Sequence, residues 1–294
     1  MEGIMMKGPK KTALAVRKPD GEIHTEINEN KIYPWQKWIF VRGLFNFIDS
    51  LVTGYKYLMK SAEISMGDDV LEESESKFDK WIDEKFGETG TKIIMGLASL
   101  LGVFLAIILF MVIPTGIASI INNFVHIGGW RTWIEGGLKV AILVGYMFAV
   151  SKMPEISRLF KYHGAEHKTI ACYEAGEELT VENIRTKRRF HPRCGTSFIL
   201  IVLLISILVG AILPSTSTIV RMALKILTLP LVVAVSYEII KLCGRYDNAV
   251  TRAVSAPGLW LQHITTSEPD DSMIECAIAA MTLVIPEKKE DGEW

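Results

Sequence analysis

Two stretches of this chain carry no charge: residues 93–113, IIMGLASLLGVFLAIILFMVI, and residues 196–213, TSFILIVLLISILVGAIL, closed by Pro214. At ~1.5 Å of rise per residue, runs of this length suit helices that cross a hydrocarbon core of ~30 Å. Two weaker runs accompany them. Residues 134–150 carry Glu135 and Lys139 near their start, and residues 222–240 carry Lys225 and Glu238 near their ends. Charges near a helix end can snorkel to the interface, so both runs are counted as spans, a long buried helix being the alternative. Averages hide this segregation: 294 residues, 49% hydrophobic and a net charge of −1 would also describe a soluble protein.

Four spans place both termini on one side. The segment 151–195 contains Lys152, Arg158, Lys161, Lys168, Arg185, Lys187, Arg188, Arg189 and Arg193, whereas the connections 114–133 and 214–221 carry only Arg131 and Arg221. The positive-inside rule therefore predicts that the 151–195 loop and both termini are cytoplasmic. Cys172, Cys194, Cys243 and Cys276 then face a reducing compartment, which argues against a disulfide framework. The opening MEGIMMKGPKK lacks the apolar core and cleavage site of a secretory signal, so secretion is not expected.

The expected fold class is mainly α: a polytopic helical membrane protein of about four transmembrane helices, with a cytoplasmic layer of amphipathic helices and a small N-terminal β-hairpin. The hairpin falls within 1–34, where TALAVRKPDGEIHTE reads as strand, Pro-Asp-Gly turn and strand. Region 35–91 holds an amphipathic helix at 35–59 and an acidic helix at 68–88. Aromatic and basic residues recur through 35–59, which suits a helix in the headgroup layer; a fifth span there would put the N-terminus outside. The acidic stretch reads as a solvated helix face before it reads as a carboxylate metal site. Spans one and two occupy 92–150, the basic loop 151–195, and spans three and four 196–241. Region 242–294 holds amphipathic helices, one in PGLWLQHITT and one capped by Asp270 or Asp271 with a stripe of Ile274, Ala277, Ile278, Met281 and Ile285. A disordered tail, EKKEDGEW, closes the chain. No internal repeat, Walker-type phosphate loop or nucleic-acid motif is present, and the basic run 186–193 suits anionic lipid headgroups.

One motif names a chemistry. His163-Gly164-Ala165-Glu166-His167 has the H-x-x-E-H order in which two histidines hold zinc and the glutamate activates water. A helix from Pro154 to a stop at Gly176 would carry Ile156, Leu159, Phe160, His163, Glu166, His167, Ile170, Ala171 and Glu174 on one inward stripe. Burying two imidazoles and a carboxylate costs several kcal/mol unless they pair or bind an ion. Zinc needs at least a third ligand, and Cys172, Glu174, His191 and Cys194 follow, with Pro192 able to turn the last two back toward the helix. Three of the six histidines fall between 163 and 191. Zinc or another divalent transition metal on His163, His167, His191 and Cys194 is one reading; a metal-free polar network and unrelated surface histidines are the others. Glu166 is the catalytic candidate, as general base, if a metal binds. Cys194 as a nucleophile paired with His167 or His191 is a weaker reading.

EGIMMKGP, AVRKPDGEI, YHGAEHKTIACYE, RFHPRCGTSF and PGLWLQHITT, in this order across nearly the whole chain, resemble the YqhQ family of bacterial membrane proteins. The resemblance implies a bacterial inner-membrane location. Members of that family are also labelled metal-dependent enzymes, which implies roles for His163, Glu166 and His167, with His191 and Cys194 beside them. They usually begin with a further glycine-rich stretch, so the N-terminus is expected to be short here. Two functions follow. One is a membrane-bound, zinc-dependent hydrolase with a cytoplasm-facing site. The other is a non-catalytic accessory factor that docks another membrane complex, for example protein insertion or secretion machinery, its His cluster structural. A transporter ranks third, because the strongest spans lack charge. Lipids, and a membrane-protein partner or second copy, are the expected partners; nucleic acid is not.

Overall fold

The computed structural model describes residues 2–31, 33–66, 93–94, 96–213 and 217–286. The acidic stretch 68–88, Pro214 and the tail 287–294 lie outside the described residues.

The N-terminal unit is a three-stranded antiparallel meander of β1 (Gly3–Lys7), β2 (Lys11–Arg17) and β3 (Ile23–Glu29). The hairpin expected from the Pro-Asp-Gly turn is β2–β3, with Arg17 opposite Ile23 and Gly21 in the left-handed region that the turn requires. β1 is an addition to that reading, pairing Gly3 with Val16 and Lys7 with Thr12. From Thr12 to Val16, β2 is buried without alternation because both faces of the sheet are covered. Ala13 and Ala15 face one apolar cluster, and Leu14 and Val16 face another that includes Tyr57.

Tyr57 belongs to α1 (Val41–Met66). This helix starts six residues later than the aromatic spacing suggests. The chain makes a 3-10 turn at Pro34–Lys37, and Phe40 adopts a positive φ of 68°, which breaks any helix running through it. At its beginning α1 packs on a later helix, where Arg42 forms a bidentate ion pair with Glu238 and Asn46 donates to Tyr237 Oη. Its Ile48, Leu51, Val52 and Tyr55 are left uncovered.

Among the described residues four helical segments are long and apolar enough to cross a membrane, and the chain is on that ground a membrane protein. They are α2 (Gly96–Phe124), α3 (Arg131–Val150), α6 (Gly195–Ile212) and α7 (Thr218–Arg245). The first runs eleven residues beyond the uncharged stretch, through Pro114. A proline in a helix removes one hydrogen bond and clashes with the carbonyl four residues back, and the π-helical turn Ile108–Val112 absorbs that mismatch. Glu135 and Lys139, read as snorkelling, are instead buried inside the bundle.

Between α3 and α6 lie α4 (Pro154–Glu174) and the single turn α5 (Val181–Arg185); after α7 come α8 (Ala249–Thr265) and α9 (Asp271–Val284). Asn248 and Thr251 form a capping box on α8, and Asp270 caps α9. Leu261 of α8 is buried in the bundle core with Leu143 and Leu200, while the neighbouring Trp260 stays exposed. α9 lies across the sheet and against α4, enclosing Met273, Ile274, Cys276, Ala277 and Ala280. The most deeply buried stripe of α4 is therefore Tyr162, Ala165, Thr169 and Cys172 rather than the expected one. The helix is covered on two sides, so its small and weakly polar residues go to the α9 side and its histidines face α6 and α8.

Candidate metal centre

Pro154 at the first turn starts α4, and Gly176 ends it at φ +71°. There Gly176 N–H donates to Tyr173 O and Glu177 N–H to Cys172 O, the paired bonds of a Schellman motif. Within these limits the helical period puts His163, Glu166 and His167 on one face. Gly164 is required by what lies over it. A Cβ there would sit 2.0 Å from the carbonyl oxygen of Ser267. Without one, the chain leaving α8 lies flat on α4, and Ser267 N–H donates to Phe160 O at 2.9 Å.

That close approach places Thr265 O 2.9 Å from His163 Nδ1, and the chain before α6 places Arg189 O 2.6 Å from His167 Nδ1. A carbonyl only accepts, so both Nδ1 atoms carry protons and both Nε2 atoms are the ones left to bind. Cys194 is the N-cap residue of α6, and its Sγ lies 3.2 Å from His163 Nε2. The ligand atoms of His163, His167 and Cys194 all lie within 4.8 Å of one another, with His167 and Cys194 buried.

The electrostatics favour a thiolate at Cys194 beside a protonated imidazole at His163, whose proton a bound metal would displace. Burial alone would raise the Cys194 thiol, but hydrogen bonds and charge from His163 and His167 carry it well below its ordinary value, toward thiolate. Burial would depress His163, yet Cys194, Glu166 and the Thr265 carbonyl lift it to about 9. Burial pushes the Glu166 carboxyl up, and the two histidines only partly offset this. No hydrogen bond to Glu166 is found among the described residues.

These donors fit a transition metal. Zinc bonds of ~2.0–2.3 Å in tetrahedral geometry put ligand atoms ~3.3–3.6 Å apart; Cys194 Sγ and His163 Nε2 are 3.2 Å apart, and the whole trio lies within 4.8 Å. Two imidazoles and a thiolate are the donor types zinc selects, and they leave one position for water or for Glu166.

His191 stands outside this trio. Its Nε2 meets Glu174 Oε2 at 3.2 Å and its Nδ1 accepts from Arg193 N–H at 3.3 Å. Glu174 also pairs with Arg193, and Cys172 is enclosed on the α9 side of the helix. The basic run 186–193 is largely paired within the protein: Lys187 with Glu177, Arg189 with Glu268, Arg193 with Glu174. The residue that sequence reasoning passed over is Gln262, fully buried on α8. Its Oε1 accepts from His191 N–H at 2.8 Å, while its Nε2 donates to His191 O at 2.7 Å and Ser197 Oγ at 2.8 Å. It thereby clamps the turn that delivers Cys194. An amide on the buried face of an otherwise apolar helix was the available signal.

Residues 38–287 match the model of a family described as a protein of unknown function, DUF1385. An uncharacterized protein, YqhQ, of Bacillus subtilis (strain 168) is 31% identical over 289 residues, covering 95% of this chain and 88% of that protein. No solved structure matches. The chain belongs to the DUF1385 family.

Proposed function

We propose that this member of the family is a membrane-bound, metal-dependent hydrolase in which His163, His167 and Cys194 hold zinc or a similar divalent metal beside Glu166. The observation that carries the reading is the convergence of two imidazole Nε2 atoms and a buried cysteine sulfur next to a carboxylate that no described group hydrogen-bonds. When bound, such a metal acidifies a water and polarises a carbonyl oxygen. Glu166 would take the proton from that water on its free carboxylate oxygen and return it to the leaving group. Thr265 and Arg189 would hold the rings in the binding tautomer throughout. Because Cys194 caps a membrane span, amides or esters of lipids or membrane proteins are the substrates the position favours. The proposed location is the bacterial inner membrane, with the site and both termini cytoplasmic.

A second reading shares the same geometry. Glu166 lies on the ligand face, and if it occupies the fourth position the site is closed and structural. The chain would then be an accessory factor docking another membrane complex. Metal analysis of purified protein, together with rescue of a deletion strain, separates these. His167→Ala should lose the metal. Glu166→Gln should keep it and fail to rescue. Full rescue by Glu166→Gln would end the hydrolase reading, and metal loss in that variant would identify a closed site. For the topology, Arg188→Cys should resist an impermeant thiol reagent in intact cells.

A further inference from the structure

At the end of the bundle away from the histidines, charges are buried between α2, α3 and α7. Glu135 is 1% exposed, and its Oε1 accepts from Thr115 Oγ1 at 2.9 Å and from Lys225, and forms an ion pair with Lys139 Nζ at 3.4 Å. One turn before Lys225, Arg221 is 5% exposed and donates to Thr132 Oγ1. Glu135 is the one carboxylate on α2, α3, α6 and the first half of α7. Buried Lys139 and partly buried Lys225 thus share a single carboxylate, with buried Arg221 one turn away. Arginine cannot shed its proton in a protein, and an unmatched buried charge is expensive. On these side chains two buried polar atoms have no hydrogen-bond partner: Arg221 Nε, a donor, and Glu135 Oε2, an acceptor.

An apolar groove of about 470 Å³ opens beside this cluster, lined by Trp133, Gly137, Val140, Leu204, Ile207 and Leu208. Thr132 and Gly136 on α3 join the two features. Gly210 of α6 sits against both Thr132 and the Lys225 stem, and Ile207 against Gly136. A Cβ at Gly137 would touch nothing within 4 Å, so the groove is open there.

We infer that this end of the bundle binds a hydroxyl-bearing phosphate ester, its oxygens taken by Arg221 and the two lysines and its hydroxyl donating to Glu135 Oε2. The groove favours a lipid as the source, with an acyl chain along α3 and α6 and the headgroup at the cluster. This inference is independent of the metal centre. Ionisable groups at membrane depth mark ligand or ion sites more often than structural ones.

The test uses the full chain in detergent, with phosphatidylglycerol, phosphatidylcholine and inorganic phosphate as separate probes. Phosphatidylglycerol should raise the unfolding midpoint by about 3 °C or more over phosphatidylcholine. Arg221→Gln should lower lipid retention in native mass spectrometry about tenfold. Arg221→Lys should recover part of it. Lys139→Gln gives the same reading if Arg221→Gln does not fold. Gly137→Leu fills the groove and should abolish the lipid response. If inorganic phosphate matches phosphatidylglycerol and Gly137→Leu changes neither, the oxyanion site stands with a solution source. Equal midpoints with all three probes, or wild-type retention in both charge variants, would overturn the inference.

Discussion

The sheet-and-helix layer and the span bundle bury apolar side chains in different ways. In the layer, Ala13, Ala165, Met273, Cys276 and Ala277 are wholly enclosed by protein. In the bundle, the most apolar window of α2 has no buried residue, and Leu100, Leu101 and Phe104 are more than half exposed. The layer is a complete core. The bundle is a partial one whose outer surface needs a hydrocarbon solvent, and its charged groups go inward. The candidate metal site lies where the two meet, with its histidines on the layer helix α4 and its thiol on the span α6.

The contrast can be attacked first at Gly164. Gly164→Val places a branched side chain where even a Cβ meets the Ser267 carbonyl, and should cost at least about 3 kcal/mol with loss of the metal site. Thermal unfolding and metal content check it together. A paired truncation comes next. Met273→Ala in the sealed layer should cost about 3 kcal/mol, whereas Leu105→Ala on the uncovered face of α2 should stay within about 0.5 kcal/mol in lipid nanodiscs. Equal losses would show that the two regions do not differ as described. A double-mutant cycle on Arg42 and Glu238, which join α1 to α7, should return a coupling of about 1 kcal/mol, the pair being bidentate and one-fifth exposed.

The smallest effect is one of pH. Burial alone would raise the Glu2 carboxyl, but hydrogen bonds from Arg158 and Tyr162 and the Arg158 charge hold it below its ordinary 4.5. A carboxyl held low when folded contributes stability above that value and loses it as pH falls through the lowered one. Wild type should therefore lose stability faster than Glu2→Gln below pH 4.5. Parallel acid curves for the two would show that this tie between β1 and α4 adds nothing.

The spans were legible because lipid demands long uncharged runs, and composition alone records that demand. Their ends were less so: Pro114 reads as a stop, and only the π-turn before it shows how the helix continues. β1 was missed because GIMMK lacks the β-branched alternation of a half-buried strand; it pairs because α9 and α1 cover the sheet. At the site, the helix face shared by His163, Glu166 and His167 follows from spacing alone, and Cys194 was a candidate from its place before a span. The separate engagement of His191 was not readable, since Gln262, 71 residues away, fixes its backbone. The carbonyls of Thr265 and Arg189 leave no mark in a sequence, because every residue has one.

Cys194 is both ligand candidate and first cap of α6. A helix is stiff along its axis, so that cap moves with the whole span. Advancing α6 by a single residue's rise, ~1.5 Å, would shift the sulfur by about half of its 3.2 Å separation from His163 Nε2. The trio can therefore close at only one depth of seating of α6, and assembling the centre registers the vertical position of a transmembrane rod to within an ångström or two.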